Sequence, residues 1–406
     1  MERFGQWVDD RTGFSGFWKA HVSEYYAPKN FNIWYYFGSL ALVVLVIQIV
    51  TGIMLTMNYK PSAAGAFASV EYIMRDVSWG WLIRYMHSTG ASAFFVVVYL
   101  HMFRALLYGS YRKPRELLWV IGMFIYLILM AEAFMGYLLP WGQMSYWGAQ
   151  VIVSLFGAIP VVGDGLAEWI RGDYFISDIT LNRFFAFHVI ALPLVLLMLV
   201  VFHLGALHQV GSNNPDGIEI KKLKDKDGVP LDGIPFHPYY TVKDLFGLTV
   251  FLFIFFLVVF FAPEMGGLFL EHANFEPADR LKTPEHIAPV WYFTPFYAIL
   301  RALPEKLAGV IAMGLAIVLL FLLPWLDRSP ARSMRYRSMV SKVMLTLFVI
   351  SFLALGYLGL QPVTDLYTIL SRVFTAFYFI FLITMPWWSK MGQHQPEPER
   401  VTYESH

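Results

Sequence analysis

The chain of 406 residues is 57% hydrophobic and 15% charged, with a formal net charge of +1. Its charged fraction lies well below the ~25% of soluble domains, which indicates that lipid surrounds most of it, and the near-neutral charge gives no basis for nucleic-acid binding. The absence of cysteine excludes disulfides, thiolate-ligated clusters and cysteine nucleophiles, and it leaves histidine as the obvious transition-metal ligand.

Eight segments are apolar and long enough to cross a membrane as helices, which takes about 20 residues. They cover residues 33–57, 80–108, 117–139, 181–208, 245–262, 306–325, 340–358 and 366–387. Three shorter apolar segments are predicted to be re-entrant or surface helices, at 143–156, 163–171 and 289–303. The predicted fold class is therefore all-α, a polytopic membrane protein with eight transmembrane helices.

The charges of the loops predict how these spans are oriented. The loops after the second and sixth spans are basic, and the loop after the third span is acidic. Because basic loops stay in the cytoplasm, both termini are expected on the cytoplasmic side. The chain would then comprise an N-terminal four-helix bundle (residues 1–210), a cytoplasmic loop (211–244) and a C-terminal four-span domain (245–406).

Two spans carry two histidines each, His87 and His101 in the second and His188 and His203 in the fourth. These spans run in the same direction, so one histidine of each lies near the outer face and the other near the cytoplasmic face. At ~1.5 Å rise per residue, the two histidines of a span are about 21–22 Å apart. Facing pairs at matched depths predict two haem sites, one above the other. Iron held by two imidazoles has no open position, which favours electron transfer.

Other interpretations of the histidines stay open at this point. They could be four unrelated polar residues, as in a transporter or channel, although ionisable groups inside a membrane are functional suspects. Zinc is a poorer fit, because a structural zinc site brings four ligands close together.

Glycines and arginines near the histidines support the haem interpretation. The glycines recur at a fourteen-residue interval on two further spans, as Gly38 and Gly52 on the first and Gly122 and Gly136 on the third. Glycine lets a flat haem pass close to a helix backbone, and ordinary close packing of helices is the alternative. Arg84 and Arg104 flank the histidines of the second span. They would pair with anionic haem propionates, unless they only reach for the membrane interface.

The spacing on the fourth span is irregular. His188 and His203 are fifteen residues apart, which on a helix of ~3.6 residues per turn places the second about 60° beyond the first. Pro193 lies between them and can distort a helix. We therefore expect a local distortion near Pro193 that returns both imidazoles to one face.

Six stretches carry a family resemblance. They are residues 84–87 (RYMH), 136–145 (GYLLPWGQMS), 183–188 (RFFAFH), 208–215 (HQVGSNNP), 237–244 (HPYYTVKD) and 289–292 (PVWY). In this order they resemble the cytochrome b family, the membrane subunit of the cytochrome bc complex (respiratory complex III). The resemblance extends from about residue 30 to 385 and implies an eight-helix fold.

The resemblance implies two non-covalent haem b groups and quinone at two sites. His87 and His188 would ligate a low-potential haem near the outer face, and His101 and His203 a high-potential haem near the cytoplasmic face. Quinol, expected to be ubiquinol, would give one electron to a Rieske iron–sulfur protein and the other to the outer haem. The second electron would cross to the inner haem and reduce quinone there, as in a proton-translocating Q cycle.

The two quinone sites are carried over residue by residue. The inner site is expected to include His208, Ser212, Lys243 and Asp244, of which His208 and Asp244 can exchange protons with quinone. The outer site is expected to include the following residues: Tyr137, Gly142, Gly148, Pro289, Trp291 and Tyr292.

One position of the outer site departs from the family pattern. Many members have glutamate where this chain has Val290, and valine cannot accept a proton from quinol. We hypothesise that Glu285, five residues earlier, takes over this role; the alternative is that Glu285 is one more charge on an acidic outer loop.

The resemblance also implies partners and a location. We expect a Rieske protein, a cytochrome c-type subunit and a homodimeric complex in a bacterial inner membrane, with a mitochondrial inner membrane as the alternative. Two related classes stay open: a cytochrome b/f-type protein, and the dihaem anchor of a quinone-linked dehydrogenase. The first is usually split and carries a cysteine-attached haem, and the second needs only one quinone site.

Overall fold

The computed structural model of the protein describes residues 2–402, which are mostly α-helical. Two short strands, Tyr26–Pro28 and Gly233–Pro235, form an antiparallel pair. The α-helices, α1 to α17 in chain order, are Glu2–Thr12, Phe14–Trp18, Tyr36–Thr56, Ala66–Arg75, Gly80–Tyr108, Glu116–Leu138, Gln143–Phe156, Gly163–Arg171, Asp178–Ala186, Leu192–Val210, Phe236–Phe261, Thr294–Ala302, Lys306–Phe321, Leu323–Leu326, Met339–Leu360, Asp365–Ile383 and Met385–Trp388.

Seven helical segments of the described chain are long and apolar enough to cross a membrane. They are Ile33–Thr56, Gly80–Tyr108, Glu116–Leu138, Asp178–Val210, Phe236–Phe261, Met339–Leu360 and Asp365–Ile383. The eighth predicted span is α13, a shorter apolar helix of 16 residues that is about 24 Å long at ~1.5 Å per residue. The short helix α14 continues it after Leu322. The all-α polytopic fold is thus confirmed, with the eighth span shorter than expected.

The N-terminal bundle consists of two pairs of helices. Helix α3 packs along α5, and α6 packs along α10. In this arrangement His87 and His101 of α5 face His188, in the turn just before α10, and His203 of α10. The glycines of α3 and α6 lie against these imidazoles.

The distortion expected near Pro193 is present. Residues Phe187–Ala191 form a π-helical turn in which the amide of Leu192 donates a hydrogen bond to the carbonyl of Phe187, and α10 follows with Pro193 in its first turn. Proline has no N–H group to donate, and a π-turn takes up one more residue than an α-turn. The prediction is therefore confirmed, and the extra residue between the histidines is absorbed here.

The short apolar segments resolve into two kinds. Helices α7 and α8 lie between the third and fourth spans, as expected. Helix α12 is buried along most of its length and packs against α13, α15 and α16. The segment 289–303 was expected to be a re-entrant or a surface helix; because the C-terminal spans cover it, it is not a surface helix, and the re-entrant interpretation stays a prediction.

The basic loops meet at one end of the molecule. Glu219 accepts hydrogen bonds from Arg115 at 2.6 and 2.9 Å and from Arg332 at 2.6 Å. Buried Asp327 pairs with the buried guanidinium of Arg337 at 2.5 Å and accepts a hydrogen bond from Tyr111 at 2.6 Å. The loop after the second span, the 211–235 loop and the loop after α14 thus form one connected polar layer.

Candidate functional site

The four histidines form two facing pairs inside the bundle. The ring centres of His87 and His188 are 6.2 Å apart with planes at 87°, and those of His101 and His203 are 6.4 Å apart with planes at 63°. A metal–imidazole bond is about 2 Å long and the ring centre lies roughly 1 Å beyond the nitrogen, so one ion between two imidazoles holds ring centres about 6 Å apart. Both pairs have the separation that a shared metal ion requires.

Each of the four predicted glycines faces one of these imidazoles. A Cβ atom added to Gly38, Gly52 or Gly122 would lie 3.2–3.3 Å from Cε1 of His101, His87 and His203, respectively, and one added to Gly136 would overlap the ring of His188. The glycine helices therefore make room for the imidazoles, which is a more specific role than admitting a flat haem.

Hydrogen bonds fix the outer pair of rings. Nδ1 of His87 lies 2.9 Å from Oγ1 of Thr51, and Nδ1 of His188 lies 2.9 Å from the backbone oxygen of Glu132. Such contacts set the tautomer and the orientation of a ligating imidazole. They leave Nε2 of each ring available to a metal.

One arginine accompanies each histidine pair, as the sequence suggested. Arg84 lines the cavity beside the outer pair. Arg104 lies beside the inner pair, with Nη2 3.5 Å from Nδ1 of His101 and its guanidinium 4.9 Å from the ring centre of Tyr35. Buried guanidinium groups are suited to bind carboxylates such as haem propionates.

A cavity of about 460 Å³ extends from the outer histidine pair toward the outer end of the molecule. Near the histidines it is lined by Gly52, Gly136 and Arg84, and further out by residues that the resemblance assigned to the outer quinone site. The latter are Tyr137 and Tyr292. Val290, the position that departs from the family pattern, and Asn274, which the resemblance did not assign, also line it.

Glu271 is a carboxyl group of this outer site that sequence reasoning missed. The hydroxyl of Tyr137 donates to its Oε2 at 2.9 Å, and Nδ2 of Asn274 lies 3.0 Å from the same oxygen. Burial raises the pKa of Glu271 to about 7, although the hydrogen bonds from Tyr137 and Asn274 act in the opposite direction. It is therefore a group that can take up or release a proton near neutral pH.

Glu285 is placed differently. Its side chain is exposed and is not among the residues that line the cavity. The structure therefore does not bring Glu285 to Tyr137 and Tyr292, because the 276–288 segment runs along the surface before it enters the protein at buried Val290.

Of the other residues predicted for the outer site, Tyr292 lines the cavity, whereas Trp291 and Pro289 do not. Tyr292 is buried and stacks on Phe95, with ring centres 3.9 Å apart. Trp291 donates from Nε1 to Ser92 at 3.1 Å, and Pro289 precedes this turn as a half-buried residue.

Two glycines of the outer site are closely approached by other residues. A Cβ atom on Gly142 would lie 2.6 Å from Oδ1 of Asn274, and one on Gly148 would lie 3.8 Å from the ring of Tyr137. Only Gly142 is sterically required for the path of the 271–277 segment, which bridges to it at Pro277.

The inner quinone residues fall into two neighbouring groups. Asp244 lines a pocket of about 310 Å³ between α3 and α11, where its Oδ2 accepts a hydrogen bond from Ser39 at 3.1 Å. Tyr36 forms part of the same wall. The side chain of Lys243 instead lies over the ring of Tyr240, at 5.3 Å.

His208 and Ser212 lie outside the lining of that pocket. The ring of His208 is 5.0 Å from that of Tyr25, and the hydroxyl of Tyr25 is hydrogen-bonded to Ser212. Burial raises the pKa of Tyr25 while this hydrogen bond lowers it. Tyr25 and Ser39 belong to segments with no motif of their own, which is why sequence reasoning missed them.

The fold and these sites define a polytopic helical membrane protein with two buried histidine pairs and a cavity toward each end. The chain matches the family described as "Cytochrome b/b6/petB" over residues 22–211 and the one described as "Cytochrome b(C-terminal)/b6/petD" over residues 277–379. It belongs to the cytochrome b family, and this membership implies that it binds haem b.

Individual relatives agree over nearly the whole chain. Cytochrome b of Allochromatium vinosum is 64% identical over 404 residues, covering 98% of this chain and 97% of that relative. Cytochrome b of Rickettsia prowazekii is 51% identical over 395 residues, covering 97% and 96%. A chain in a solved structure named "Hyperthermophilic respiratory Complex III" superposes with a TM-score of 0.88 at 42% identity, covering 95% of this chain and 98% of that one.

Proposed function

We propose that this chain is the haem- and quinone-binding subunit of a quinol–cytochrome c oxidoreductase, in which it oxidises quinol at the outer site and reduces quinone at the inner site. The observation that carries the proposal is the pair of stacked histidine sites, with ring centres 6.2 and 6.4 Å apart. The glycine opposite each ring and the arginine at each site fit the same purpose.

The residues present fit two haem b groups. His87 and His188 would hold the outer one, and His101 and His203 the inner one, with Arg84 and Arg104 available to the propionates. Bound haem would supply one-electron transfer between the two ends of the bundle. The protein supplies the low-dielectric interior and the fixed imidazole orientation that keep this path insulated from water.

At the outer site, we assign proton acceptance to Glu271 rather than to Glu285. Oxidation of quinol to quinone releases two electrons and two protons, and the protons need an acceptor within hydrogen-bond reach. Glu271 is hydrogen-bonded to Tyr137 and Asn274, both of which line the cavity. Val290 and the buried ring of Tyr292 form an apolar wall for the quinol ring.

At the inner site, Asp244 is the proposed proton donor to quinone, and Ser39 holds its carboxyl group. His208, with Tyr25 and Ser212, would serve as the connection to the cytoplasmic solution. Uptake of protons at this end and release at the other make the overall reaction electrogenic.

The proposed setting follows from the same comparisons. The structural relative is named as a respiratory complex III, so we propose a Rieske protein and a cytochrome c-type subunit as partners and a homodimeric assembly. The seven long spans and the shorter α13 make eight crossings, an even number that puts both termini on one side, and the basic loops favour the cytoplasmic side. The bacterial relatives support a bacterial inner membrane.

A dehydrogenase anchor is the less favoured alternative. Such an anchor needs one quinone site, whereas this protein has separate cavities of about 460 and 310 Å³ toward opposite ends of the bundle. A transporter with buried histidines would have no reason to place four glycines opposite four imidazoles.

The haem assignment is tested by absorption spectroscopy. The purified wild-type protein is expected to show two b-type bands in its reduced-minus-oxidised spectrum, because each histidine pair would hold one haem. His203→Ala should lose only the inner one. His272→Gln, which changes an exposed histidine, should lose neither, and a wild-type protein without such bands would contradict the proposal.

A further inference from the structure

The outer and inner histidine pairs are built to nearly the same plan. Each has one ring from the second span and one from the fourth, a glycine opposite each ring, and one arginine close by. A difference in redox potential between the two sites therefore has to come from groups that this plan does not share.

Glu132 is a group that lies beside the outer histidine pair and has no counterpart in this shared plan. Its Oε1 lies 3.1 Å from Nδ1 of His188, and its backbone oxygen lies 2.9 Å from the same nitrogen. The carboxyl group lies along the wall of the outer cavity. At the inner pair, the group beside Nδ1 of His101 is instead the guanidinium of Arg104, at 3.5 Å.

The position of this carboxyl group is costly for the fold. Its second oxygen, Oε2, is buried and has no hydrogen-bond partner among the described residues. A buried polar atom without a partner typically costs about 1–3 kcal/mol, and such an atom in a folded protein calls for an explanation. The close contact of Oε1 with the imidazole supplies one.

An oxygen acceptor on Nδ1 changes the imidazole as a ligand. A hydrogen bond from Nδ1–H to a carboxylate or a carbonyl raises the basicity of the nitrogen that binds the metal. A more basic ligand and nearby oxygen density favour the oxidised, more positive iron over the reduced one. A guanidinium beside the ring has the opposite effect.

We propose that Glu132 tunes the outer centre: with a carboxyl oxygen 3.1 Å from Nδ1 of His188, it lowers the reduction potential of the iron held there, and it thereby sets the direction of electron flow toward the inner centre. This inference rests on the proposed function, since it assumes that the histidine pairs hold haem. Glu132 acts through His188 and is therefore a positioning and tuning residue.

The test is a potentiometric titration of the purified complex, followed by the absorption of each centre. In Glu132→Leu, which removes both side-chain oxygens, the ratio of reduced to oxidised outer centre at a fixed potential should rise about tenfold, which corresponds to about 59 mV for one electron. The inner centre is the internal control and should keep its wild-type potential. Glu132→Gln, which loses the carboxyl group but keeps one oxygen, should shift the outer centre in the same direction and less far.

The outcomes separate this inference from the proposed function. A wild-type protein without two haem bands would overturn both. Two intact bands with an unshifted outer potential in Glu132→Gln and Glu132→Leu would overturn the tuning role alone. Glu132→Gln could also fail to retain the outer haem. In that case Glu132→Asp, which keeps the carboxyl group, should restore the outer band. If neither variant retains the outer haem, Glu132 has a packing role and the inference is overturned.

Discussion

Glu271, the proposed proton acceptor, does not line the cavity itself but is hydrogen-bonded to Tyr137 and Asn274, which do. It is separated from its partner Tyr137 by 134 residues, and only the path of the 262–277 segment brings the two together. Val290, where a carboxyl group was sought, instead forms part of the buried wall. The outer site thus combines an apolar contact at one position with a carboxyl group supplied from another.

This arrangement predicts the pH dependence of quinol oxidation. Because burial raises the pKa of Glu271 to about 7, its carboxyl group is protonated and cannot accept a proton below that pH, and it becomes an acceptor above it. The steady-state rate should therefore rise from about pH 6 to pH 8. In Glu271→Gln that rise should disappear, and the rate should fall roughly 10²-fold, as for loss of a general base.

Glu285→Gln is the matched control for this measurement. It removes a carboxyl group from the same loop at an exposed position, so its rate and pH profile should equal those of the wild type. A Glu271→Gln enzyme that keeps the wild-type pH profile, or a Glu285→Gln enzyme that loses it, would contradict the assignment.

Single residues differed in how far the sequence could predict them. The histidines were predictable because residue type and helical rise alone place His87 and His188 at one depth and His101 and His203 at another. Glu132 and Glu271 were not, because their significance lies in contacts across helices and loops. Glu132 does stand out as an ionisable residue inside an apolar span, but its contact with His188 on another span could not be predicted. Glu271 lies in a loop, and no local pattern indicates its contact with Tyr137.

At the level of elements, the fourth span shows how a local π-turn compensates for one extra residue between two ligand positions on a helix. The π-turn at Phe187–Ala191 takes up the extra residue, and both histidines then face their partners on α5. Spacing and Pro193 sufficed to predict this distortion. The burial of α12 could not be foreseen, since apolarity indicates that a segment is covered without indicating what covers it.

Deletion of one residue tests the role of the π-turn. Removing Val189, which lies inside the turn, should convert it to an α-turn and leave the fourteen-residue spacing that already serves His87 and His101. Both haem bands should persist. Removing Val195 from the regular part of α10 gives the same spacing but keeps the π-turn, so it rotates His203 by about 100° relative to His188. Only the inner band should then be lost. Equal spectra for the two deletions would show that the π-turn does not absorb the extra residue.

Across the whole molecule, the two halves share one interior. A single cluster of buried apolar side chains includes Val44 and Phe95 from the N-terminal bundle and Tyr292, Leu355 and Tyr378 from the C-terminal half. The division of the chain into an N-terminal bundle, a loop at 211–244 and a C-terminal domain therefore stays a prediction. The proposed outer quinone site depends on this shared interior, because both halves supply the walls of its cavity.

The polar layer at the other end links the halves through Glu219. Its partners Arg115 and Arg332 come from the loops after the second span and after α14, and the side chains of Arg115 and Glu219 are only 3% and 12% exposed. Burial raises the pKa of Glu219, but the hydrogen bonds and charges of the two arginines outweigh it, so the pKa is lowered overall. The link is therefore fully formed above the ordinary carboxyl value of 4.5 and is lost as the pH falls through the lower pKa of the folded state.

Glu219→Gln should therefore destabilise the whole molecule. It leaves the buried guanidinium of Arg115 with the backbone oxygen of Gly211 as its remaining partner, at 2.9 Å, and loss of one partner of a buried ion pair costs about 3 kcal/mol. Thermal unfolding in detergent at pH 7, followed by loss of the haem band, should show a lower midpoint than in the wild type. Because the variant has no carboxyl group to protonate here, the two midpoints should converge as the pH is lowered below 4.5 and through the lower pKa of Glu219 in the folded state. Glu168→Gln, at an exposed position on α8, should match the wild type, and a Glu219→Gln protein as stable as that control would show that this link does not hold the halves together.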